Sequence, residues 1–178
     1  AWDVPRAVAF MQQADAFGLG WIEEPIPADS PRSDWASLAD NIKTPIAVGE
    51  NIAGDVAFTQ AIEAGHFAYL QPDVAKWGGV TGCLRVARTA LQAGRIYCPH
   101  FLGGGIGLRA SAHVLAAAGG PGVLEVDVNP NPLRDAFEGE AMSGGDWTLG
   151  TAAGLGIETL PQALGPYQTL SLEKTRVS

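Results

Sequence analysis

The feature that most restricts what this chain can become is a unit that recurs in kind though not in letters: a polar cap, a helix, a glycine, and a short apolar strand ending in a polar residue. The first helix is predicted from Asp3, with Pro5 in its first turn and Ala7, Phe10, Met11, Ala14 and Phe17 on one face. It stops at Gly18 and hands over to Gly20-Trp21-Ile22, which runs into Glu23-Glu24-Pro25. A shorter helix, about 33–42, precedes the strand Ile46-Ala47-Val48, which ends at Gly49-Glu50-Asn51. Asp55 is the expected cap of a helix with Phe58, Ala61 and Ile62 inward; Gly65 closes it and residues 67–70 lead to Gln71-Pro72-Asp73. Thr81 is the expected cap of the clearest amphipathic helix, with Leu84, Ala87 and Leu91 on one side and Arg85, Arg88 and Gln92 on the other. Its strand, 95–98, delivers Pro99-His100. A glycine-rich loop, 101–107, and a small-residue helix, 108–118, then lead to the last strand, Val123-Leu124-Glu125-Val126.

Helices alternating with short buried strands call for a parallel sheet, and polar residues collected at strand ends suggest a β/α barrel, whose active site lies at that face. The expected class is α/β: the C-terminal part of a (β/α) TIM-type barrel with about five of its strands. A closed barrel of this type needs eight strands in roughly 250 residues. Three upstream units are therefore expected before Ala1, where the chain opens in a loop without a starting Met. An open doubly wound sheet of five strands competes, and the lack of a nucleotide fingerprint argues against it. One domain, 1–178, is expected, with 133–178 a C-terminal loop and hairpin extension. A net charge of -8 with only 11 dispersed Lys and Arg excludes a nucleic-acid or anionic-membrane partner and makes a metal cation the more natural one. Cys83 and Cys98 form no C-x-x-C pair, no apolar run reaches the roughly 18 residues of a membrane span, and no signal peptide is visible, so a reduced, cytoplasmic protein is expected.

Five residues carry the chemistry: Glu23, Glu50, Asp73, His100 and Glu125, one at the end of each successive strand. A single Glu there is usually a solvated loop residue; recurrence over five strands is what raises the set. Carboxylates from adjacent strands, about 4.8 Å apart, can converge on one Mg²⁺, which keeps waters for substrate oxygens to replace. Glu23 and Glu50 suit that role. Asp73 and His100 also end neighbouring strands, so the carboxylate can hold one imidazole nitrogen while the other faces substrate as a general base.

Trp21-Ile22-Glu23-Glu24-Pro25, Gly49-Glu50-Asn51, the stretch Gln71-Pro72-Asp73-Val74-Ala75-Lys76-Trp77-Gly78-Gly79 and Pro99-His100-Phe101 resemble the metal-binding and base motifs of the enolase superfamily, mandelate racemase subgroup. The resemblance runs from Ala1 to about Asn131. It implies a modified β/α barrel with a separate amino-terminal capping domain, a Mg²⁺ ion, and removal of the proton next to a carboxylate to give a metal-stabilised enediolate. By the same resemblance Glu23 and Glu50 are the second and third metal ligands, Asp73 and His100 the dyad, and Glu125 the electrophilic carboxyl group. The first ligand, an Asp, and the opposite-face base would fall before Ala1, so the isolated chain is expected to be inactive. The substrate class is a small carboxylate, an acid sugar or hydroxy acid. Dehydration is expected first, racemisation or epimerisation as the alternative, and a non-catalytic barrel fragment as the third reading; a homo-oligomer is expected of the full-length form.

Other residues have plainer readings. Strand alternation sends Glu24 to the face opposite Glu23, as a residue that supports a ligand or stays on the surface. Lys76 serves as a base in the muconate-lactonising branch that this sequence resembles; beside His100 it is expected to orient Asp73 or bind substrate. His113 reads as a core or supporting histidine and His66 as a turn residue. Gly103, Gly104, Gly105 and Gly107 do not fit G-x-G-x-x-G, because Leu108 stands where a small residue is needed, and they read as room for backbone near a substrate. Trp77 either shapes the pocket or packs in the core.

Overall fold

The computed structural model describes residues 1–137 and 142–172. Asp3 accepts from the Arg6 N–H and opens helix α1 (Val4–Ala14), with Pro5 in the first turn where its missing N–H costs nothing. A 3₁₀ turn (Asp15–Phe17) follows and ends at Gly18 with φ 62°. Then come β1 (Ile22–Glu23), α2 (Arg32–Asn41), β2 (Ile46–Val48), α3 (Asp55–Ala64), β3 (Phe67–Leu70), α4 (Gly79–Gln92), β4 (Ile96–Tyr97) and α5 (Gly105–Ala118). The four strands form one parallel sheet in the order β1-β2-β3-β4. The core lies between this sheet and its helices. Trp35 and Leu38 of α2, Ile46 and Val48 of β2, Ile62 of α3 and Phe67 and Leu70 of β3 bury together, and Trp35 meets Phe67 edge-on at 5.2 Å. Each such large side chain contributes about 1.5–3 kcal/mol by leaving water.

Several expectations shift. The fifth strand does not join the sheet: residues 123–126 run beside the end of β4 held by two long contacts, Glu125 N–H to the Pro99 carbonyl at 3.5 Å and Val123 N–H to Cys98 Sγ at 3.4 Å. Pro99 has no N–H to donate at the point where a ladder would form. The segment is nonetheless pressed close, since a Cβ on Gly122 would lie 1.8 Å from the Tyr97 carbonyl oxygen. Thr81 is not a cap; α4 starts at Gly79 after Gly78, whose φ of 72° breaks the chain from the preceding loop. Asp55 lies inside the first turn of α3 and pairs with Arg85 instead of capping. Phe10 and Phe17 are exposed, and Ala7, Met11 and Ala14 form the buried stripe of α1.

Beyond α5 come a short helix α6 (Pro132–Asp135), a two-stranded antiparallel hairpin of β5 (Met142–Ser143) and β6 (Asp146–Trp147), and a 3₁₀ helix (Gln162–Tyr167). The remainder of the expected extension, 138–141 and 173–178, lies outside the described residues. Among the described residues no helix is long and apolar enough to cross a membrane.

Candidate active site

The parallel strands all end at one face, so the residues that follow them meet there. Two positions beyond the Gln71 N–H, which donates to the Val48 carbonyl and so extends β3 by one residue, Asp73 turns its carboxylate inward. Its Oδ1 accepts from the Ala75 and Lys76 N–H groups at 2.7 and 3.2 Å, and its Oδ2 lies 2.8 Å from His100 Nδ1. Both residues are buried. A carboxylate with both oxygens occupied cannot rotate, so the Nδ1 proton is donated to it and Nε2 is left to face the site. There Nε2 lies 2.9 Å from Glu50 Oε2, a contact that it makes as a donor when the imidazole is protonated, and 3.9 Å from Glu125 Oε2.

Glu50 is held by cationic and amide groups. Lys76 Nζ donates to Oε2 at 2.5 Å and Asn51 Nδ2 to Oε1 at 3.2 Å. Burial alone would raise its pKa, but the Lys76 hydrogen bond and the charges of His100 and Lys76 outweigh it and leave the carboxyl below its usual value. Glu125 goes the other way. Burial raises its pKa, the Glu23 and Glu50 charges add to that, and His100 and the Phe101 N–H, which donates to Oε2 at 3.3 Å, oppose it without cancelling it. Glu23 is exposed and accepts from Gln71 Nε2 at 3.0 Å. A cleft lined by Trp21, Glu23, Gln71, Cys98 and Glu125 opens at this face.

The five strand-end residues are thus brought to one face, and Lys76 joins them through Glu50; it touches Asp73 only by its backbone N–H. Other readings change. Gly103 and Gly107 make room for the Phe101 ring, which a Cβ would meet at 2.6 and 2.2 Å, and Gly105 for Phe137, at 2.2 Å. They serve packing, and no substrate space opens at them. Trp77 packs on Phe58 at 5.0 Å. His66 and His113 are half-buried and outside this cluster. Burial pushes the Cys83 thiol up to about 12, which leaves it inert as a nucleophile. Sequence reasoning missed Gln71, although it stands two residues before Asp73 on an extended run and so shares its face. It also missed the reach of Glu24, whose carboxylate accepts from Gly49 and Asn51 at the next strand end.

Hard carboxylate oxygens at adjacent strand ends are the donor type that a cation such as Mg²⁺ takes, commonly one or two of them with water and substrate completing the shell. Glu23 and Glu50 are carboxylates of that kind, at the ends of the neighbouring strands β1 and β2. Among the described residues no group of three or more His, Cys, Asp or Glu closes into a cage. The buried carbonyl oxygen of Gln71 has no hydrogen-bond partner among the described residues, so one more oxygen donor stands beside Glu23.

The family model for the enolase C-terminal domain-like fold matches residues 1–163, and the chain belongs to that family. Its parallel sheet corresponds to the C-terminal part of enolase-superfamily TIM-type barrels. The crystal structure of a mandelate racemase/muconate lactonizing enzyme from Bordetella bronchiseptica superimposes with a TM-score of 0.86 at 50% identity, over 89% of this chain and 45% of that one. D-galactarolactone cycloisomerase of Agrobacterium fabrum is 29% identical over 177 residues, 94% of this chain and 47% of the relative. D-galactonate dehydratase of Ralstonia nicotianae is 36% identical over 110 residues, 62% and 28% respectively. The chain therefore spans about half or less of the length of the relatives it matches.

Proposed function

We propose that this chain carries the base-bearing half of an active site that removes the proton next to the carboxylate of an acid sugar, in a lyase or isomerase. The observation that carries this reading is the Asp73–His100 pair, buried and bonded at 2.8 Å, with Nε2 turned toward Glu50 and Glu125. His100 Nε2 takes the proton from carbon, and the electron pair moves into the substrate carboxylate. Glu125, whose pKa is raised by burial and by neighbouring negative charge, is placed to share a proton with that carboxylate as charge builds. In dehydration the imidazolium then returns the proton to the departing β-hydroxyl, water leaves, and the enol ketonises. Glu23 and Glu50 would hold the divalent cation, Mg²⁺, which when bound supplies positive charge to the substrate carboxylate. Lys76 is assigned to substrate binding, and a cytoplasmic setting fits two cysteines that are free and buried.

Dehydration is supported by the dehydratase among the relatives, and isomerisation by the cycloisomerase that aligns with nearly the whole chain. The test is proton NMR in D₂O with galactonate and galactarate and with Mg²⁺, on the sequence extended upstream to the length of its relatives. Deuterium at C3 of a 2-keto-3-deoxy product, where the enol takes up a solvent proton as it ketonises, supports the dehydratase; deuterium next to the carboxylate of an isomeric product supports the second reading. No exchange with any acid sugar sinks both.

A further inference from the structure

Glu24 is the one non-glycine residue with positive φ among the described residues, at 35°. Such a conformation persists only where its surroundings enforce it. The Glu24 N–H donates to the Ala47 carbonyl at 3.1 Å and continues the β1–β2 ladder, after which the chain turns. With that turn the carboxylate reaches the end of β2: Oε1 accepts from the Gly49 N–H at 3.1 Å and Oε2 from Asn51 Nδ2 at 2.6 Å. The same Asn51 amide donates to Glu50 Oε1 at 3.2 Å, so its NH₂ bridges the two carboxylates. Gly49 cannot retreat, because a Cβ there would lie 2.5 Å from the Gln71 backbone nitrogen. The turn that carries Glu50 is therefore clamped between Glu24 on one side and the end of β3 on the other.

We propose that Glu24 is a positioning residue for Glu50, its doubly anchored carboxylate and the bridging Asn51 amide fixing the direction in which Glu50 presents its oxygens to a divalent cation. This rests on the reading of Glu50 as a cation ligand. Two donors, the Gly49 N–H and the Asn51 NH₂, need two acceptor oxygens; a glutamine would turn its own NH₂ against one of them. A residue that oriented a ligand in this way would be felt in affinity more than in folding.

The experiment is titration of the full chain with Mn²⁺, read by the EPR signal of the free ion, alongside thermal unfolding and hydrogen exchange of the Gly49 amide. Glu24→Gln is expected to unfold cooperatively near the wild-type temperature, to exchange the Gly49 amide faster, and to weaken Mn²⁺ binding by about 10–100-fold. Asn51→Ala, which leaves the Glu24 backbone untouched, should weaken it similarly and decides the matter if Glu24→Gln does not fold. The double variant should be no worse than the weaker single one, because both act through one chain of bonds. Full-strength Mn²⁺ binding in both single variants, or additive losses, overturns the role of Glu24 while leaving Glu50 a ligand. A wild-type chain that binds no Mn²⁺ removes the ligand role of Glu50 itself, and this role with it.

Discussion

Asp73 and His100, at the ends of β3 and β4, are 5% and 4% exposed, and both oxygens of the carboxylate are taken by backbone N–H groups and the imidazole. Glu23, at the end of β1, is exposed and accepts one side-chain hydrogen bond, from Gln71, and Glu50, at the end of β2, is held by Lys76 and Asn51, themselves exposed. The two sides of one face are thus finished to different degrees. A base works best when its orientation is set before substrate arrives, and the backbone around Asp73 does that. A cation site must exchange its side-chain partners for an ion, and contacts from exposed side chains such as Lys76 are given up at smaller cost than backbone N–H groups, even where the turn beneath Glu50 is itself held.

If that contrast is right, the largest loss comes from the finished side. His100→Asn should leave the fold intact and lower substrate proton exchange by about 10²–10⁴-fold, equivalent to about 3–5 kcal/mol in the barrier. Asp73→Asn should act through the same imidazole, so the double variant should lose no more than the worse single one. Near-normal exchange in His100→Asn would show that the buried pair is only a packing device. Glu125→Gln should come next, slowing turnover by about 10²-fold with Mn²⁺ affinity unchanged, because an amide cannot give the substrate carboxylate the same proton-donating hydrogen bond. Equal loss of metal affinity would move Glu125 to the open side of the comparison, as a ligand.

A smaller effect is expected just beyond His100. Phe101 is buried, and a Cβ on Gly107 would meet its ring at 2.2 Å. Gly107→Ala should therefore cost about 1–3 kcal/mol in denaturant unfolding, as overpacking does. Wild-type stability in that variant would mean that the loop after β4 yields easily, and that the dyad side is less rigid than its burial implies.

How much of this could be read from the letters depends on how local the cause is. The order of helices and strands follows from hydrophobic period and from punctuation by Gly18, Gly65 and Pro45, and it was legible. So was the meeting of Glu50, Asp73 and His100 at one face, because parallel strands leave their carboxyl ends together. What was not legible depends on distant partners. Residues 123–126 look like any buried strand until Pro99 is found where a ladder donor is needed. The glycines after Phe101 look like substrate space until two aromatic rings, Phe101 and Phe137, are found filling it. Alternation allowed Glu24 to support a ligand without naming its partners, because the turn at φ 35° that carries its carboxylate to Gly49 and Asn51 leaves no mark in the sequence.

The smallest effect tests the open side at its most exposed contact. Lys76 and Glu50 are 2.5 Å apart with side chains 46% and 26% exposed, so water screens the pair and an exposed pair of this kind is worth about 0.2–1 kcal/mol. Glu50 has its pKa lowered in the folded chain against an ordinary value of 4.5. A carboxyl group so shifted contributes stability that is fully present above its unfolded pKa and is lost as pH falls through the folded one. Lys76→Met removes the hydrogen bond and charge that most lower that pKa, so the variant should be less stable than wild type near neutral pH. The difference should shrink as the pH drops below 4.5 and Glu50 becomes protonated in both proteins. Urea unfolding of the two proteins from neutral to acid pH measures it. A difference that did not change with pH would assign the effect to the methylene stem of Lys76. A loss well above about 1 kcal/mol would show that Glu50 is fixed as firmly as Asp73, and the contrast between the two sides of the face would not stand.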